Sequence, residues 1–409
     1  MNQQRPTLGV SRRKFLGTAA GVAAIAVVPR HVVARGQALP SAVELAPSET
    51  ITYAVIGNGG RKDAGLRGTK SFKQVAVCDV YEHRLGGDPD NKTRFTDFRR
   101  LLERKDIDVV CIATHPSWHA LITIAAAQAG KDVFCEKPFT KFIAEGRAAA
   151  EAVKRYGVMF QIGTFGRFDA NREIHKIVKS GLLPDLKGVV ARGGGSHRVG
   201  KTSLPEQPVP PGFHYDLWLG PAPYKPYNAG RALYPHRFYW DYEGGDLTNM
   251  GYHAFDPVQY TFAKDDTGPV EIEPFAAWPQ HPDAVGEYDH VVLTYADGLK
   301  IVVGEGGKSG GVGSGRRISR NDLSAEDRAK LDAMPDPPRL VPFAEAVRTR
   351  QSPGGNAESS HRASTALNLA NLAIRLGRRL HWDPAAERFV GDDEANRFVD
   401  IPMRAPWHL

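Results

Sequence analysis

Between residues 51 and 162 short apolar runs alternate with longer stretches of helical character, and that order admits few folds. The runs are 51–56, 74–78, 107–113, 132–135 and 158–162, separated by helical stretches near 96–104, 117–129 and 143–156. Unbroken apolar strands such as Ile51-Thr52-Tyr53-Ala54-Val55-Ile56 belong to parallel sheets covered on both faces. The spacing therefore predicts a doubly wound parallel sheet, an α/β domain over residues 51–165. Beyond about residue 180 the pattern changes. Longer strands appear at 186–192, 270–278, 287–296 and 299–304, with a hairpin turn at Ala296-Asp297-Gly298. A helix near 246–262 and two near 341–349 and 359–379 accompany them. Residues 166–409 are thus expected to form an α+β domain on a mostly antiparallel sheet, with the C-terminal helix packing back on the first domain.

The first strand runs into Gly57-Asn58-Gly59-Gly60-Arg61. Glycines at this point let the backbone turn tightly and approach a pyrophosphate at a helix N-terminus. The full G-x-G-x-x-G pattern fails at Lys62, but Asp79 ends the second strand about 20 residues on. An acid there accepts from an adenosine ribose and repels a 2′-phosphate, which favours NAD over NADP. An ordinary tight turn and a strand-end aspartate are the plain alternatives. Gly307-Lys308-Ser309 is no phosphate loop, since Val302 stands where that motif needs glycine. Residues 304–315 read as a surface loop.

Cys135-Glu136-Lys137-Pro138 resembles the Glu-Lys-Pro motif of the Gfo/Idh/MocA dehydrogenases. Ile112-Ala113-Thr114 with His119, the stretch Gly244-Gly245-Asp246 to His253, and Leu376-Gly377-Arg378 with His381-Trp382-Asp383-Pro384 agree with it. Together they look like the exported, Planctomycete-type branch, and the resemblance runs from about residue 50 to the end. It implies an NAD(P)-dependent oxidoreductase acting on a sugar, cyclitol or glycoside. It places Lys137 beside nicotinamide and substrate alcohol, Glu136 on the nicotinamide ribose, and Thr114 in the same pocket. Independently, a lysine straight after a buried strand puts an ammonium at the crevice, where it can stabilise an alkoxide. His253 is the candidate base, because imidazole takes a proton near neutral pH. A helix from Asp246 would put Asn249 and His253 on one face. Many relatives carry Asp at the position of Asn249, and asparagine cannot supply that charge. His119 is expected to pack or cap, and Asp256 to brace the helix or the histidine.

The stretch 203–243, expected to be mostly loop, contains His214, Tyr215, Trp240 and Tyr242, with Trp218, Tyr239 and acidic neighbours. Aromatic faces beside carboxylates suit pyranose rings, and the same residues equally suit anchoring a loop. Arg167 is a further candidate for the substrate pocket. Between Asp79 and Asp97 the chain is short and polar where relatives carry a helix.

The N-terminus reads as a separate element. Ser11-Arg12-Arg13-Lys14-Phe15-Leu16-Gly17 resembles a twin-arginine export motif, and an apolar run to Val28 follows, too short to span a bilayer. Residues 1–36 are expected to be a signal and 37–50 a linker, with export of the folded protein to the periplasm. The signal holds Arg5, Arg12, Arg13, Lys14, Arg30 and Arg35 and no acid, so the formal charge of +7 less these six leaves +1. A body so near neutral gives no clustered cation for nucleic acid. Cys78, Cys111 and Cys135 lack metal or disulfide spacing. No metal is expected, and a homodimer or tetramer is. Export also poses a turnover problem, because no evident pool reoxidises NADH outside the cytoplasm. Tight cofactor retention follows as an expectation. A redox-neutral NAD-dependent glycosidase and a non-catalytic nucleotide-binding protein remain as alternatives.

Overall fold

A computed structural model describes residues 50–60, 66, 71–86, 93–164, 167, 170–183, 188–192, 199–304 and 318–409. The expected signal, nearly all of the linker, Arg61 and the Gly-rich loop from 305 onward lie outside the described residues.

The first sheet contains β1 (Ile51–Ile56), β2 (Phe72–Cys78), β3 (Arg94–Phe95), β4 (Val109–Ile112), β5 (Asp132–Glu136) and β6 (Phe160–Gly163). All pairings are parallel, in the order β3-β2-β1-β4-β5-β6. Every residue of β4 is buried, as a strand covered on both faces requires. Helices α1 (Phe98–Leu102), α2 (Pro116–Gln128) and α3 (Ile143–Tyr156) supply crossovers. The strand order reverses between β1 and β4, and the crevice outside their C-terminal ends is where such sheets hold ligands. The two-residue β3 went unread in the sequence because it has no apolar run of its own.

The second domain begins with α4 (Ala170–Lys179), β7 (Gly188–Arg192), α5 (Tyr215–Leu219) and α6 (Asp246–Thr261). It continues through β8 (Glu271–Ala276), β9 (Tyr288–Thr294), β10 (Lys300–Gly304), α7 (Ala325–Ala333), α8 (Phe343–Thr349) and α9 (Ala357–Leu376). It ends with β11 (Leu380–Asp383), β12 (Arg388–Phe389) and α10 (Asp393–Asn396). Its sheet, β12-β11-β8-β9-β10-β7, is antiparallel except where β7 joins β10.

The C-terminal segment returns to the first domain. Phe343 and Val347 of α8 share a core with Tyr53, Val55 and Phe134. The carbonyl of Gly355 accepts from Ile162 N at 3.0 Å, which ties the free edge of β6 to the turn before α9. Helix α9 packs on α3 and β6 on one side and on α6, β8 and β9 on the other. Ser364 Oγ accepts from Phe139 N at 3.0 Å, just beyond the Glu-Lys-Pro turn. Apolar side chains of both domains thereby form one continuous core, which holds the two walls of the crevice at a set separation.

Candidate active site

A crevice of about 510 Å³ separates the strand ends of the first domain from loops and α6 of the second. On its first-domain wall Gly57 has φ +93°, and a Cβ there would sit 2.6 Å from the carbonyl carbon of Ala113, so only glycine fits. Gly59 and Gly60 follow on the same wall, and a Cβ on Gly60 would project into open space. The main chain here can come close to a bulky ligand. Asn58 N donates to Asp79 Oδ2 at 2.7 Å, and Tyr81 N donates to Asp79 Oδ1 at 2.8 Å. Burial raises the Asp79 pKa, against the main-chain donors and the Arg84 guanidinium 4.0 Å away. The Asn58 side chain is tied to the Arg84 carbonyl. A carboxylate oriented this way at the end of β2 can accept ribose hydroxyls. Thr114 and Glu136, at the ends of β4 and β5, complete this wall, and Gly163 leaves room for the Glu136 carboxylate. These residues fit a dinucleotide laid across the strand ends.

The candidate chemistry lies where the two walls meet. Lys137 Nζ donates to the main-chain oxygen of Asn249 at 2.9 Å, so the ammonium sits against α6. Asn249 and His253, one turn apart, both line the crevice. The Asn249 side chain donates to Glu243 Oε1 at 2.5 Å, and His236 Nε2 lies 3.3 Å from Glu243 Oε2. Burial pushes the Glu243 pKa up, but the His236 hydrogen bond and the charges of His236, Lys137 and Arg237 bring it below its ordinary value. A buried carboxylate is thus present beside Asn249 after all, supplied six positions earlier in the chain.

Two more histidines belong to the first-domain side, His115 on the crevice and His119 behind it. His119 Nδ1 faces the Pro138 carbonyl at 2.8 Å and Nε2 faces Thr114 O at 3.1 Å, so His119 braces the Glu-Lys-Pro turn against the end of β4. His115, the residue before α2, presents Nε2 to the Trp218 carbonyl at 2.7 Å. Burial pulls its pKa down to about 3, so the ring is neutral and donates through Nε2.

The substrate-side expectations need correction. Arg167 is not on the crevice: its guanidinium is buried between Asp256 and Asp265 at 2.9 and 2.7 Å. Asp256 braces α6 through that arginine. His214 points outward and pairs with Glu82 at 2.9 Å. Tyr215 is buried and donates to Lys225 O at 2.9 Å. Trp240 is buried and donates to His281 O at 2.9 Å, and Tyr242 is fully buried. Tyr215 and Tyr242 join Phe213, Trp218, Tyr227 and Tyr239 in a separate aromatic core. The physical reason is the length of the loop. A segment with so little regular structure needs apolar anchors of its own, and its largest side chains supply them. The residues of this stretch that do reach the crevice are Leu217, Trp218, Leu233, Tyr234, His236, Arg237 and Glu243. Charged groups set among aromatics in His236-Arg237-Phe238 and Tyr242-Glu243 were the only available signal.

Comparison with known proteins agrees with this geometry. Residues 51–164 match the domain described as "Oxidoreductase family, NAD-binding Rossmann fold", and residues 169–409 match "Oxidoreductase family, C-terminal alpha/beta domain". An oxidoreductase of Bacillus subtilis (strain 168), YrbE, is 35% identical over 245 residues, covering 57% of this chain and 59% of that protein. The scyllo-inositol 2-dehydrogenase (NAD(+)) of the same organism is 46% identical over 69 residues, 17% of this chain and 20% of that one. The matched stretches thus span less than two thirds of either relative. The crystal structure of an aldose-aldose oxidoreductase from Caulobacter crescentus shares the fold at 19% identity and a TM-score of 0.51, over 81% of this chain and 99% of that one.

Proposed function

The chain belongs to the Gfo/Idh/MocA oxidoreductase family, and from that premise we propose that it oxidises a secondary alcohol of a sugar, cyclitol or glycoside with NAD. The observation that carries the reading is the meeting of Lys137, Asn249 and His253 with the Gly57–Gly60 turn and Asp79 along one crevice.

NAD bound there supplies the hydride acceptor at its nicotinamide ring. Gly57, Asn58, Gly59 and Gly60 admit the pyrophosphate, and Asp79 takes the adenosine ribose. Asp79 also repels a 2′-phosphate, so NADP is disfavoured. Lys137, aimed by the Asn249 carbonyl, orients the substrate hydroxyl and stabilises its oxygen as the C–H bond breaks. His253 takes the hydroxyl proton. Glu243, through the Asn249 amide, holds the wall in register and places a negative charge near Lys137.

Export by the twin-arginine route accompanies this reading, with NAD loaded in the cytoplasm and retained. The cycle then closes on a second substrate or by re-reducing the first. Homo-oligomer formation is part of the same proposal. The test is mass spectrometry of cofactor released on denaturation, followed by a screen of sugars and chromogenic glycosides read for hydride transfer and for bond cleavage. Retained NAD(H) with sugar-dependent 340 nm absorbance supports the reading. Aglycone release without net NADH would replace it with the redox-neutral glycosidase. Absence of any bound or bindable nicotinamide would defeat it.

A further inference from the structure

Arg237 faces the crevice from the short 3-10 turn Tyr234–Phe238. Its carbonyl accepts a 2.6 Å hydrogen bond from Gly245 N, the residue that precedes α6, so its backbone is pinned to the helix carrying Asn249 and His253. Among the described residues no hydrogen-bond acceptor meets its guanidinium, and Nε is shut off from solvent. The guanidinium lies over the ring of Tyr234, Cζ 3.7 Å from the centroid, and Tyr234 is itself 58% exposed on the crevice wall. Glu243, whose carboxylate feels Arg237, is already committed to the Asn249 amide and His236.

A buried Nε without an acceptor carries a desolvation cost, and the guanidinium presents its remaining N–H donors to whatever enters the crevice. The planar fork of arginine matches a carboxylate, which takes two parallel N–H bonds. Tyr234 beside it offers an apolar shelf of the kind a pyranose C–H face covers. We propose that Arg237 is a substrate-binding residue that reads a carboxylate. The alcohol oxidised here would then sit on an acidic sugar, a uronic or aldonic acid or a glycoside of one. This inference rests on the oxidoreductase reading above and deepens it.

The test uses the full chain loaded with NAD. Binding of glucuronate, galacturonate and gluconate is measured by calorimetry beside glucose, galactose and glucose 6-phosphate. The carboxylates are expected to bind at least about tenfold more tightly than their neutral counterparts. Arg237→Gln should erase that preference and Arg237→Lys should keep part of it, with NAD affinity unchanged in both. Equal affinity for neutral sugars, a preference for the phosphate, or no carboxylate binding at all overturns the proposal. Loss of NAD affinity in Arg237→Gln also overturns it, because the arginine would then be holding cofactor phosphates. Arg237-dependent carboxylate binding without hydride transfer would sink the oxidoreductase reading and leave the carboxylate site standing.

Discussion

Lys137 Nζ donates to the carbonyl of Asn249 at 2.9 Å, a bond that joins the end of β5 in the first domain to α6 in the second. The two halves of the candidate active site are therefore registered by the same lysine that is proposed to act on the substrate. An ammonium anchored through one of its protons is directed, which is what stabilisation of a developing charge demands. Lys137→Met should lower turnover by about 10²–10³-fold, while NAD stays bound. Single-turnover absorbance at 340 nm, run with mass spectrometry of retained cofactor, separates the two effects. Unchanged turnover would remove Lys137 from the chemistry.

Asp79 accepts from two main-chain N–H groups, so its role in the loop and its role in cofactor choice can be separated. Asp79→Asn keeps an oxygen for one of those bonds but loses the charge that repels a 2′-phosphate. It should narrow the preference for NAD over NADP by about tenfold, roughly 1.4 kcal/mol, with a smaller loss of melting temperature than Asp79→Ala. Asp79→Ala should narrow it too and also loosen the turn. Binding isotherms for both dinucleotides decide this.

Arg167 should matter for stability alone. Its charge neutralises Asp256, which is completely buried, and Asp265. Arg167→Met leaves a buried carboxylate unpaired, at a cost of about 3–5 kcal/mol. The double variant Arg167→Met with Asp256→Asn should recover part of that loss. Urea midpoints measure it. A midpoint unchanged in the single variant would show that the ion pair contributes nothing net.

Glu387 predicts an acid limb in the stability profile. Its Oε1 lies 2.8 Å from His361 Nε2 and 2.7 Å from the Arg147 guanidinium. Burial opposes ionisation, yet the His361 hydrogen bond and Arg147 bring its pKa from the usual 4.5 to about 2. A pKa lowered on folding adds stability above the unfolded value and forfeits it as pH falls through the folded one. Stability should accordingly decline between about pH 4.5 and 2. Glu387→Gln should be less stable at neutral pH and show a flatter decline. Denaturation curves at several pH values would reveal a limb that does not depend on residue 387, if one exists.

Much of the fold was legible in the residues themselves. The apolar runs of β1, β4 and β5 and the glycine-rich turn after β1 announced the parallel sheet. The one-turn spacing of Asn249 and His253 put both on the same face of α6. The substrate wall was less legible. Tyr215, Trp240 and Tyr242 look like sugar platforms by type but are consumed as anchors of a long loop, and Arg167 serves a buried ion network. The crevice is left instead to Tyr234, His236, Arg237 and Glu243.

That division has a physical cause. Strand and helix periodicity, and the conformational needs of a glycine such as Gly57, are local properties, so the amino-acid order by itself determined the Rossmann domain, its dinucleotide turn and the Glu-Lys-Pro position. Which way a loop side chain faces depends on contacts from distant parts of the chain. The tertiary structure alone decided that α8 rejoins the first core, that Glu243 places a carboxylate beside Asn249, and that Arg237 rather than Arg167 faces the crevice.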